Sequence, residues 1–246
     1  RYLEELRQIP TLSGFENAGQ KEVQQLLAPL FDESRPAGVS GLLFTKKCSR
    51  ENAPVLLIDA HLDEIGLIVT DLKDDGTLTV SSLGGMDART YTASSYTIHG
   101  KENMPALSLK KPYCLGGPEA RKLPKNGEFW LFTGFTKEEL IQKGVAVGTP
   151  VSMERSTESL SEEQFCGAYM DDKSCAVAAL IALEELKGKD LSCDICLLLS
   201  GQEESYGAGF RTGVFDACPD EILVVDVDLG NTPETDAAKT VKPGEG

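Results

Sequence analysis

Four clusters of acidic and imidazole side chains stand out along the 246-residue chain: His61-Leu62-Asp63-Glu64, Asp171-Asp172, Gln202-Glu203-Glu204, and Asp226 with Asp228. Three of them follow or close runs that read as strands: PVLLIDA (54–60), CDICLLLS (193–200) and EILVVDV (221–227). Asp171-Asp172 opens a predicted helix. Singly, each cluster has an ordinary explanation. Paired aspartates at a helix start usually cap it, carboxylates after a strand are usually solvated, and a lone histidine is more often packing than ligand. Together they sit where an open α/β sheet gathers its site, outside the carboxyl ends of the strands.

That many carboxylates cannot share a cleft without cations to offset their repulsion, so a metal is expected. One imidazole with several carboxylates suits zinc, cobalt or manganese, whereas an all-oxygen set would suit magnesium or calcium. In the H-x-D spacing, Asp63 can accept from the second ring nitrogen of His61 and fix its tautomer. Adjacent side chains diverge, so one of Glu203 and Glu204 can bind metal while the other faces an activated water. A general base beside a Lewis acid is what amide hydrolysis needs.

The elements that must position these residues can be read from periodicity. LEELRQI is helical up to Pro10, and Ser13-Gly14-Phe15-Glu16 has the form of a capping box for a helix reaching Leu30. The apolar run PVLLIDA reads as a strand covered on both faces. From Glu64 to about Glu163 the texture changes. EIGLIVTDL and TLTVSSL flank an Asp74-Asp75-Gly76 turn, and SYTIHG, ALSLKK, GEFWLFTG and VGTPVSMER read as further short strands, with TKEELIQKG as a brief helix. DDKSCAVAALIALEELKGK reads as a helix with Val177, Leu180, Ile181 and Leu183 on one side and Gly188 as its C-cap. Strand and helix then alternate, which implies crossovers and a parallel sheet. The expected fold is therefore α/β: a mixed, mainly parallel sheet flanked by helices (residues 1–64 and 164–246), with a small β-barrel inserted at 65–163.

Composition narrows the partners. A net charge of −15 repels nucleic acid and anionic lipid, so neither is expected. No apolar run is long enough for a transmembrane helix, and RYLEELRQIP lacks the order of a signal peptide. Seven scattered cysteines suggest reduced thiols and a cytoplasmic location. Cys193 and Cys196, in a strand-like run with no second pair, are expected to be structural. Because Arg1 is not an initiator Met, the numbering is expected to begin inside a longer product.

The segments HLDEIG, GAYMDDKSCAV, SGQEESYGAG and LVVDVDLGNTPE, in this order and spacing, resemble the glutamyl or deblocking aminopeptidases that assemble as tetrahedral particles. The similarity extends over essentially the whole chain. It implies a metal-dependent aminopeptidase acting on peptides, with two divalent ions, zinc or cobalt. It implies that His61, Asp171 and Asp226 bind one metal, that Asp171 bridges to a second held also by Glu204, and that Glu203 is the general base. It further implies that Asp63 orients His61, that the Asp171–Asp172 peptide is cis, and that the inserted domain supports a homo-oligomer, tetrahedral and dodecameric in type. The resemblance places one further histidine ligand of the second metal, in an R-Y-x-H-S-P-like segment, beyond the strand carrying Asp226, so an incomplete chain is expected. His99 is the one other histidine and a weak substitute; Lys173 stands where the resemblance often has Arg.

Other chemistries fit less well. A serine hydrolase would need His99 and a G-x-S-x-G turn that does not occur, and a dinucleotide loop fails because Thr212 stands where the third glycine belongs. Two alternatives stay open: another metallohydrolase on the same scaffold (deacylase, carboxypeptidase or glycan-directed enzyme), or a non-catalytic relative. The lone Trp130 offers no sugar platform.

Overall fold

The computed structural model describes residues 1–110, 113–118, 122, 129–162 and 164–242. Gly127 and Glu128 of GEFWLFTG, Glu163 at the expected insert boundary, and residues 243–246 lie outside the described residues.

The chain opens with helices α1 (Tyr2–Gln8) and α2 (Asn17–Leu27), followed by strands β1 (Glu33–Ala37), β2 (Gly41–Lys46) and β3 (Val55–His61). Strands β4 (Gly66–Leu72), β5 (Leu78–Leu83), β6 (Ser95–His99) and β7 (Asn103–Leu109) come next, then a single turn α3 (Tyr113–Gly116), β8 (Phe129–Phe132), α4 (Lys137–Gln142) and β9 (Pro150–Met153). After the short pair β10 (Thr157–Ser159) and β11 (Phe165–Gly167), the chain returns to α5 (Lys173–Glu185), β12 (Asp194–Ser200), α6 (Glu203–Tyr206), α7 (Ala208–Ala217) and β13 (Glu221–Val224).

Five strands form one sheet in the order β1-β2-β12-β3-β13. Strand β3 pairs in parallel with β12 and with β13, while β12 runs antiparallel to β2. The sheet is therefore mixed. The β1–β2 hairpin was not anticipated, because Pro36 breaks the first strand pattern and GLLFTK is too short to announce itself. Strand β12 is buried from Ile195 to Ser200, as expected of a central strand covered on both faces. On one face α1, α2 and α5, the last through Leu180, cover Phe44, Leu62, Leu197 and Leu199; on the other α7 packs near Leu57 and Leu198.

Six strands close a barrel in the order β4-β5-β8-β7-β6-β9. Alternate residues point inward, among them Leu67, Val69, Leu78, Val80, Ile98, Leu131 and Val151, so the interior is a packed core. The Asp74-Asp75-Gly76 turn joins β4 to β5, with Gly76 at φ +80° and the Thr77 amide donating to Asp75 at 2.9 Å. A side chain at Gly76 would also strike the Phe135 carbonyl oxygen.

Three local expectations are corrected. Ser13 and Glu16 do not form a capping box: Glu16 is itself the N-cap residue of α2, without a side-chain cap, and its carboxylate accepts from the Gly14 and Gln202 amides. The capping box occurs instead at Thr136 and Glu139, opening α4. In α5, Ile181 is exposed, and the face against the sheet is Ala176, Ala179 and Leu180. Small alanines let the helix lie close to the strands, and an apolar count could not reveal this. The C-cap is Leu186, with Gly188 two residues beyond at φ +78°. Cys196 is buried and Cys193 half-buried. Among the described residues, no helix is long and apolar enough to cross a membrane.

Candidate metal centre

The carboxyl ends of the parallel strands deliver the acidic clusters to one place. His61 ends β3, Ser200 ends β12 opposite it, and Asp226 lies two residues past β13. Asp171 comes from the turn before α5 and is joined to Asp172 by a cis peptide bond. Ligand atoms of His61, Asp171 and Asp226 all lie within 4.8 Å of one another. His61 Nε2 is 2.9 Å from Asp171 Oδ1 and 3.9 Å from Glu203 Oε2.

The His61 ring is buried (3% exposed), so its orientation is fixed by neighbours. Its Nδ1–H donates to the backbone carbonyl of Asp63 at 3.0 Å, leaving Nε2 to face the acids. The Asp63 carboxylate stands 3.6 Å from Nδ1, beyond hydrogen-bond length, and instead accepts from the backbone amides of Glu203 at 2.9 Å and Glu204 at 3.1 Å. Asp63 thus holds the first turn of α6 against the end of β3, while its carbonyl orients the imidazole. Two further ties brace that turn from the N-terminal loop: the Gln202 amide donates to Glu16 at 2.9 Å, and the Ser13 and Ser205 hydroxyls are 2.7 Å apart. Gln202 adopts φ +57°, a left-handed conformation uncommon outside glycine and frequent beside functional groups.

Titration behaviour reflects crowding of negative charge. Burial raises Asp59 to about 7, Glu204 to about 7 and Asp172 to about 6, with neighbouring carboxylates adding to each. Burial also raises Glu203. Burial alone would lower the His61 ring, but contact with Asp171 and Asp63 outweighs it and lifts it to about 11. A metal-free cluster therefore keeps its acids apart with protons, which is the role a cation would take. One imidazole nitrogen with a fixed partner behind it and two carboxylates in reach form a donor set that fits a divalent transition metal.

A cleft of about 190 Å³ opens over these groups, lined by Asp59, His61, Glu203, Arg211 and Asp226 among others. A larger hollow of about 490 Å³ lies at the opposite end of the sheet, between Pro29, Leu30, Leu180 and the Lys187–Leu191 turn. Among the described residues it gathers no ligand cluster, whereas His61 and Asp226 line the smaller cleft. Asp228 is exposed, accepts from the Leu229 amide, and is not part of the triad. His99 is engaged elsewhere, with Nδ1 at 3.1 Å from Asn103 and Nε2 at 2.9 Å from Ser152.

Sequence reading missed Asp59, Glu16 and Arg155. Asp59 lies on β3 two positions before His61, inside what read as a plain apolar run. Arg155 reaches back from the end of the barrel to Glu64 through 2.8 and 2.7 Å hydrogen bonds. No short-range pattern announces a partner 91 positions away.

A model of the M42 glutamyl aminopeptidase family matches residues 41–246. A lysyl aminopeptidase of Pyrococcus furiosus is 26% identical over 250 residues, covering 99% of this chain and 70% of its own length. An Escherichia coli relative is 27% identical over 184 residues, 74% of this chain, and the chain spans only 48% of that relative. Among solved structures, an aminopeptidase of Desulfurococcus kamchatkensis superposes with a TM-score of 0.89 at 26% identity, over 100% of this chain and 68% of that one. The Pyrococcus horikoshii TET1 peptidase, which can assemble into a tetrahedron or a large octahedral shell, shares the fold at 20% identity and a TM-score of 0.81, over 96% of this chain and 71% of that one.

Proposed function

The chain belongs to the M42 glutamyl aminopeptidase family, and from that premise we propose that it is the metal-binding part of an aminopeptidase that releases N-terminal residues from peptides. The observation that carries this reading is the convergence of His61, Asp171 and Asp226 beside Glu203 in one cleft.

His61, Asp171 and Asp226 would hold one divalent ion, zinc or cobalt, and Asp171 with Glu204 would contribute to a second. Such ions polarise a carbonyl and lower the pKa of water toward neutrality. Glu203 is half-exposed and faces the cleft, so it accepts the proton of the attacking water and passes it to the leaving amine. Its raised pKa suits both steps. Asp63 keeps Glu203 and Glu204 aimed through their amides, and the Asp63 carbonyl keeps Nε2 of His61 turned to the cleft. The acidic lining attracts the free ammonium of a peptide N-terminus, which confines cleavage to the first bond.

We propose further that residues 1–64 and 164–246 form the metallopeptidase unit and 65–163 an inserted barrel through which copies assemble. The TET1 peptidase, which can assemble into a tetrahedron or a large octahedral shell, supports the assembly of copies. The seven free cysteines support a cytoplasmic setting.

The test is metal content. Wild-type protein should retain zinc or cobalt after dialysis, and His61→Ala should lose it while staying folded. Unchanged metal content in His61→Ala would remove that residue from the ligand set.

A further inference from the structure

Behind the cleft lies a buried ionic cluster to which the proposed reaction gives no task. Glu64 is fully buried, and so, within 1%, is Lys173. Lys173 Nζ donates to the Leu6 carbonyl at 2.9 Å, to the Ile9 carbonyl at 2.8 Å, and to Glu64 Oε1. Arg155 clasps both oxygens of the same carboxylate, and the Thr11 amide donates to Oε2 at 3.2 Å. All three ammonium protons have acceptors, and both Glu64 oxygens have two donors each.

A buried ion pair is weak evidence for stability, because apolar replacements of similar volume are often as stable. What distinguishes this pair is its place in the chain. Glu64 follows Asp63 directly and stands three residues after His61; Lys173 stands two residues after Asp171. The pair therefore ties together the two chain segments whose tips bring His61 Nε2 to 2.9 Å from Asp171 Oδ1.

We propose that Glu64 and Lys173 are positioning residues that set the separation of His61 and Asp171, and with it the affinity of the site for metal. The pair does not touch the cleft. It fixes the ends of both ligand segments, and through Leu6 and Ile9 it fixes them to the N-terminal helix as well. Arg155 extends the same clasp to the last strand of the barrel, with its guanidinium stacked 4.2 Å from the centre of the Tyr169 ring. This inference rests on the reading of His61 and Asp171 as ligands.

The experiment is a titration of the metal-free full chain with Co²⁺, followed by calorimetry and by visible absorption of the bound ion. Lys173→Met removes the charge at similar length, and Glu64→Gln keeps the shape with a weaker acceptor. Leu27→Ala serves as a control that opens the core shared with Leu62 while leaving the ionic cluster intact. Both pair variants should bind Co²⁺ about 10- to 100-fold more weakly and shift its absorption bands. The control should lose thermal stability and keep affinity and spectrum. Pair variants that fold and bind Co²⁺ like wild type would overturn the proposal. So would a loss of affinity in Leu27→Ala matching theirs, or failure of both pair variants to fold. Wild-type protein that binds no Co²⁺ would instead defeat the metal reading itself.

Discussion

Asp63 Oδ1 accepts a hydrogen bond from the Glu203 amide at 2.9 Å across 140 positions of sequence. That contact, with its partner to the Glu204 amide, makes the carboxylate a clamp on the turn that carries both glutamates. The ring of His61 is steered by the carbonyl of the same residue. One aspartate thus serves two neighbours through two different groups.

Asp63→Asn can accept through one oxygen only and would turn an amide toward the second backbone N–H. Turnover should fall by roughly 10- to 100-fold, with His61 still bound to the Asp63 carbonyl and metal content nearly unchanged. Steady-state kinetics alongside metal analysis checks this. Loss of metal in parallel with turnover would mean that the carboxylate acts on His61 after all.

Glu203→Gln removes the proposed base and keeps the side-chain shape. The expected loss in kcat is on the order of 100- to 10,000-fold, with metal retained and KM little changed. Turnover close to wild type would take Glu203 out of the role.

The metal-free cluster has a defined pH dependence. Asp59, Glu204 and Asp172 have raised folded pKa values, so the native state holds protons that the unfolded chain has released. Their contribution is present at low pH and is lost as pH rises from the ordinary carboxylate range through about 6 to 7. His61 acts in the same direction: its contribution is full below about 6.5 and is lost as pH rises toward about 11. Chelated protein should therefore lose thermal stability over this range, while zinc-loaded protein gains relative to it because binding releases the same protons. Calorimetric scans with and without chelator decide the matter; parallel curves would contradict it.

Gly209 reports on the seat of the α6 turn. A β-carbon there would stand 2.1 Å from the Gly201 carbonyl oxygen, so α7 depends on this close approach to reach β12. Gly209→Ala should cost roughly 1–3 kcal/mol, read from denaturant melts, and should lower turnover by displacing Glu203. Wild-type stability would show that the two backbones can part freely.

The candidate site was legible because carboxyl ends of parallel strands are where such sites form, and His61, Glu203 and Asp226 each close or follow an apolar run. The alternating strands of the barrel were legible for the same reason of period. The supporting contacts were not. Glu16 looked like a local cap because its true partner, the Gln202 amide, lies 186 positions away. Asp59 was hidden by its apolar neighbours, and Lys173 was singled out only for standing where the family resemblance often has Arg, although it is the most enclosed cation of the cluster. Local patterns mark where a chain turns and which face it buries; they carry no record of which distant amide a carboxylate will meet.

The most direct test of the account is release of the N-terminal residue from a panel of aminoacyl-anilides by the full-length protein, with N-acetylated substrates as controls. The account predicts release that needs a divalent metal, stops with chelator and disappears on acetylation. Folded, metal-loaded protein that releases nothing, or that cleaves acetylated and free substrates alike, would contradict it.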